Sequence, residues 1–117
     1  MSAVRIYHNP RCSKSRQALA LLEERGEELD VINYIADPLD NATISDLLVM
    51  LGISARELMR KGEDTYKELK LDNPELSEAQ LVQALADYPR LIERPIVVKD
   101  GHALIARPPE KLVELFA

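Results

Sequence analysis

The chain has 117 residues, with 46% hydrophobic and 30% charged side chains and a formal net charge of −5. That size and balance fit one globular domain able to bury a core without staples, so residues 1–117 are expected to fold as a single unit. The acidic balance argues against a general nucleic-acid binder, and no apolar run approaches the ~18 residues that would cross a membrane.

In chain order, "VRIYH" (4–8) alternates as a half-buried strand. Pro10 interrupts the backbone, and "SKSRQALALLEER" then reads as a helix. Ala18, Leu21, Leu22 and Arg25 share one face of it, with Gly26 as its stop. "LDVINY" (29–34) is a second strand. Strand, helix and strand in this order form a βαβ unit with parallel strands.

The middle of the chain reads as helical. Thr43-x-x-Asp46, Ser54-x-x-Glu57 and Ser77-x-x-Gln80 each have the pattern of a capping box, and Gly52 separates the first two helices. In "PIVVKDGHALIA" (95–106), two apolar runs flank Asp100-Gly101, a strong hairpin signal. Pro109 can open a last helix carrying Leu112, Val113, Leu115 and Phe116. The order describes an α/β fold, a mixed four-stranded sheet flanked by helices. A thioredoxin-like architecture with a helical insertion after the second strand fits it.

Cys12 is the single cysteine of the chain, so it has no internal disulfide partner. With no apolar export segment at the N-terminus, it points to a reducing, cytoplasmic setting. It falls between the first strand and its helix, where unsatisfied N–H groups and the positive end of the helix dipole favour an anion. A thiol placed there has its pKa lowered. Lys14, Arg16 and a protonated His8 would add to the effect, and Ser15 can donate a hydrogen bond to sulfur. The plain alternative, a small buried hydrophobe, is the commoner fate of a lone cysteine. Position and surrounding cations favour the reactive thiol.

Ser15 stands where a C-x-x-C site would have its second thiol, so the loop lacks a resolving cysteine. Cys12 and Arg16 are too close for the C-x5-R loop of a phosphatase. An oxyanion bound here must be neutralised from elsewhere in the chain. Arg60, Arg94 (in "LIERPIVV") and Arg107 (in "IARPP") are the candidates. In a thioredoxin-like sheet the proline before the third strand is usually cis and faces the active-site loop, which would bring Arg94 and Arg107 towards Cys12. His102, beside the hairpin turn, reads as surface, and no metal-site spacing is present. The four tyrosines are expected to pack at the core edge.

Taken together, "YHNPRCSKSR", "ELMRKGEDTYKELKL", "LIERPIVV" and "ARPPEKLVELF" resemble the glutaredoxin-linked arsenate reductases nearly end to end. The resemblance implies a catalytic cysteine at Cys12, assisted by His8 and Ser15. It also implies three anion-binding arginines, Arg60, Arg94 and Arg107. Arsenate would be the substrate, glutathione the co-substrate, and a glutaredoxin the partner that restores the thiol, with no bound cofactor, nucleic acid or membrane. The chain departs from the best-known members at Ser13-Lys14, where they carry Gly-Thr, and at Glu93, where "IERP" stands for "INRP". Two other classes stay open: a thiol-disulfide exchange enzyme, and a non-catalytic thioredoxin-like regulator of a protein partner. Ser15 in place of a second loop cysteine counts against the regulator.

Overall fold

Val4–His8 forms β1, Leu29–Asn33 β2, Ile96–Lys99 β3 and His102–Ile105 β4, in the computed structural model, which describes residues 3–116. The strands order as β2-β1-β3-β4. β1 runs parallel to β2, from Val4 opposite Leu29 to His8 opposite Asn33. β3 is antiparallel to β1, with Ile6 opposite Val97, and β4 is antiparallel to β3. The mixed α/β sheet is the expected one, and so is the parallel βαβ unit. The chain divides into two units: the stretch up to Asp37 together with that from Arg94 onward, and Pro38–Glu93.

In the first unit, α1 spans Ser13–Glu24. Its helical spacing puts Ala18 and Leu22 on the stripe that meets the sheet, where they are fully buried with Val4, Ile6, Val97, Ala106 and Leu112. Ile6 and Val97 are register partners, so one face of the central strands supplies the floor of this core. The β3–β4 turn is Asp100-Gly101, with φ of 51° and 78°. Both residues are left-handed, the conformation of the tightest hairpin turns. The C-terminal segment Pro109–Phe116 is the expected last helix, in 3₁₀ form, and Leu112 is its buried anchor. Its Phe116 ring lies under the Arg25 guanidinium, 4.0 Å from the ring centre.

The second unit is helical. It contains α2 (Asn41–Leu51), α3 (Ala55–Leu58), α4 (Asp64–Glu68) and α5 (Glu78–Asp87). α2 and α3 both pack on α5. Two of the three expected capping boxes form: Ser54 with Glu57, and Ser77 with Gln80. The third does not. Asp40 caps α2 and its carboxylate accepts the Thr43 N–H at 2.8 Å, which leaves Thr43 inside the helix. An ionised acceptor one turn earlier outcompetes a neutral hydroxyl. Gly52 ends α2 in the left-handed conformation, as its position between two helices suggests. α4 is a single short turn that the capping pattern does not announce, since Glu63 ahead of it makes no side-chain cap.

A small antiparallel pairing closes this unit. Met59 bridges Ile92, the Arg60 N–H donates to the Leu91 carbonyl at 2.7 Å, and the Glu93 N–H donates to the Leu58 carbonyl at 2.8 Å. Of the tyrosines, Tyr7, Tyr34 and Tyr66 are buried, whereas Tyr88 is largely exposed. Among the described residues no helix is long and apolar enough to cross a membrane.

Candidate active site

β1 ends at His8, and the next three residues turn the chain into α1. This turn is tied down at every step. The Asn9 side-chain oxygen accepts the Arg11 N–H at 3.0 Å, and the Asn9 carbonyl accepts the Cys12 N–H at 3.0 Å. The Asn9 N–H in turn donates to the Ser15 hydroxyl at 3.0 Å. Arg16 reaches back, its Nη1 donating to the Pro10 carbonyl at 2.9 Å. Sequence reasoning did not single out Asn9. Its signal was the turn-forming preference of an Asn just before a proline.

These bonds deliver Cys12 to the N-cap position of α1, with extended backbone (φ −94°, ψ 123°) and a partly exposed side chain. As a neutral thiol it makes no capping hydrogen bond. As a thiolate it is strongly favoured by its surroundings. Burial pushes the thiol pKa up, but the Ser15 N–H, the Arg94 guanidinium (by hydrogen bond and by charge) and the Lys14 N–H together outweigh it. The net pKa lies below that of an ordinary cysteine. Lys14 and Ser15 are the second and third residues of the helix, whose N–H groups are left without partners inside it.

The expected sources of this acidity are thus partly corrected. The side chains of Lys14 and Arg16 are exposed, and the cation that acts on sulfur is Arg94, far away in sequence. His8 is buried, and burial first, then the Arg16 charge, depress its pKa below the usual histidine value. At neutral pH the imidazole is neutral and supplies no positive field. Its Nδ1 lies 2.6 Å from the Ser15 hydroxyl oxygen. Ser15 is fully buried, and its hydroxyl serves His8 and Asn9, so its backbone N–H is the group that favours the thiolate.

Arg94 and Arg107 each precede a cis-proline, Pro95 and Pro108. The Arg94 Nε and Nη1 atoms are buried. Arg107, exposed, donates from Nη1 to the Arg94 carbonyl oxygen at 3.2 Å. β3 and β4 explain the meeting: they are paired neighbours, and the Ala106 N–H donates to the Pro95 carbonyl at 2.9 Å, which sets the two Arg-Pro segments side by side. The structure therefore brings His8, Cys12, Ser15, Arg94 and Arg107 into one unit. Arg60 belongs to the Pro38–Glu93 unit, where its guanidinium pairs with Glu63 (3.6 Å) and Glu93 (3.5 Å). An acidified thiol with a guanidinium against it has the chemistry of a nucleophile for an anionic substrate.

The chain is similar to known proteins along nearly its whole length. Residues 7–115 match the model of the ArsC family. The uncharacterized protein YfgD of Escherichia coli is 58% identical over 113 residues, covering 96% of this chain and 95% of that protein. An arsenate reductase of Neisseria meningitidis serogroup A is 50% identical, covering 96% of this chain and 97% of its own. The solved arsenate reductase from Vibrio cholerae superposes with a TM-score of 0.94 at 46% identity, covering 97% of each chain. By the span of the family match and the closeness of these full-length relatives, the chain belongs to the ArsC family.

Proposed function

We propose that this protein reduces arsenate to arsenite through a covalent adduct on Cys12, drawing its electrons from glutathione and a glutaredoxin. The observation that carries the reading is the placement of Cys12 at the N-cap of α1 with the Arg94 guanidinium against its sulfur. Relatives named arsenate reductases at up to 50% identity over nearly the whole chain support the substrate.

The Cys12 thiolate attacks arsenic and displaces one arsenate oxygen as water, with protons from the medium, leaving an S–As(V) bond. Thiolate and oxyanion are both negative, so the approach requires fixed positive charge. Arg94 supplies it at the sulfur, and Arg107, held by the Arg94 carbonyl, is the second guanidinium. The family resemblance implies Arg60 as a third anion-binding residue. Neutral His8 and the Ser15 hydroxyl keep the loop in register beneath the thiol.

The chain has one cysteine, so the second thiol comes from outside. Glutathione attacks the Cys12 sulfur of the adduct. The S–As bond breaks with its electron pair leaving on arsenic, which departs as arsenite, and Cys12 remains as a mixed disulfide with glutathione. A glutaredoxin thiol then takes up the glutathionyl group and returns the Cys12 thiolate. A reducing cytoplasm supplies both reductants. The whole of residues 1–117 acts as one catalytic domain in this reading.

The test is arsenate-dependent oxidation of glutathione with a coupled glutaredoxin, measured for the wild type and Cys12→Ser. We expect turnover in the wild type and none in the variant. Disulfide exchange without arsenate turnover would replace this reading with that of a thiol-transfer enzyme.

A further inference from the structure

Arg60 is held between two carboxylates of its own unit. Its Nη1 lies 3.6 Å from Glu63 Oε1 and its Nε lies 3.5 Å from Glu93 Oε1. The backbone fixes this arrangement. Arg60 and Glu93 directly follow Met59 and Ile92, the two residues of the isolated antiparallel bridge, and the Glu63 N–H donates to the Arg60 carbonyl at 3.2 Å. Arg60, Glu63 and Glu93 are each about 30% exposed. With Lys61 and Gly62 they line a cavity of about 250 Å³, which is larger than a tetrahedral oxyanion.

We propose that Glu93, with Glu63, sets the anion affinity of this protein by occupying Arg60 with carboxylate until a dianion displaces it. The inference rests on the reading of Arg60 as an anion-binding residue. Both separations exceed those of a short charge-assisted hydrogen bond, and both pairs are open to solvent. Such pairs are weak enough to yield to a doubly charged oxyanion. They are also strong enough to tax its binding, because the incoming anion must break them and then tolerate the carboxylates nearby. Glu93 is an affinity-determining residue in this scheme.

The experiment compares wild type, Glu93→Gln, Arg60→Ala and the double variant by two readouts. One is the arsenate KM in the coupled assay. The other is the arsenate concentration that half-protects Cys12 from iodoacetamide, which needs no turnover. A weak exposed pair corresponds to about a two- to fivefold effect on an equilibrium constant. Glu93→Gln should therefore lower KM and the protection midpoint about two- to fivefold, and this gain should vanish in the Arg60→Ala background. Midpoints unchanged by Glu93→Gln, with the wild type still protected, would overturn the latch alone. A gain that persists without Arg60 would also overturn it, by showing a general charge effect. Absence of arsenate protection in every protein would overturn the anion-site reading and the latch with it. Thermal unfolding of each variant shows whether a change in affinity is secondary to lost folding.

Discussion

His8 Nδ1 and the Ser15 hydroxyl oxygen lie 2.6 Å apart, both residues buried beneath the loop that presents Cys12. The same hydroxyl accepts the Asn9 N–H, so one small side chain links the end of β1, the loop and the first turn of α1. Ser15→Ala removes a partner from the imidazole and from a backbone N–H at once. A buried polar group left without a partner costs about 1–3 kcal/mol. We expect that loss in urea-induced unfolding, together with slower reaction at Cys12 as the loop loosens. Unchanged stability in Ser15→Ala would show that solvent replaces the hydroxyl without penalty.

Because burial lowers the His8 pKa, the unfolded chain binds a proton more readily than the folded one between the depressed value and about 6.5. The His8 contribution to stability is therefore complete above about pH 6.5 and is lost as pH falls through the folded value. In His8→Gln this part of the acid sensitivity should be absent. Unfolding free energies of both proteins between neutral pH and mild acid give the comparison, and parallel curves would contradict the burial argument.

Cys12 should react as a thiolate below the ordinary titration range of cysteine, about 8.5. The rate of alkylation against pH reports the midpoint. Arg94→Ala should raise it, since that guanidinium favours the thiolate by hydrogen bond and by charge. Replacing His8 should raise it little, because a neutral imidazole contributes no field. A large upward shift in a His8 variant would mean that the ring is protonated beside the sulfur.

Alanine at Arg94 or Arg107 should lower kcat/KM by roughly 10²–10³, the scale of one lost transition-state donor. Lysine should recover only part of this, since an ammonium does not reproduce the planar fork. Arg60→Ala belongs in the same steady-state series. An exposed arginine serves as the control, and Arg25, whose guanidinium stacks on Phe116, is unsuitable. Arg90, exposed on its 3₁₀ turn, is preferable. Alanine variants of all three arginines that match Arg90→Ala would remove the anion site.

The sequence by itself determined the parts of this protein governed by neighbours along the chain. The apolar run of Val4, Ile6 and Tyr7 marked β1, although the strand is buried from Ile6 to His8 rather than half-buried. Asp100-Gly101 marked the β3–β4 turn, and Ser-x-x-Glu and Ser-x-x-Gln marked two helix starts, because each signal acts within a few residues. Cys12 at the start of α1 was legible for the same reason. It follows a loop proline and precedes a helical stripe. Competition between local signals was already harder to read, as the Asp40 cap ahead of Thr43 shows. The Arg-Pro pairs named Arg94 as a candidate, but only the tertiary structure decided that it, rather than the nearby Lys14 and Arg16 side chains, acts on the sulfur, and that His8 is buried. Arg94 reaches Cys12 because β3 pairs with β1, and His8 is neutral because the fold strips it of water. Both are matters of proximity and dielectric, which depend on residues distant in the chain, so a local pattern can nominate a residue without settling its contact or its charge.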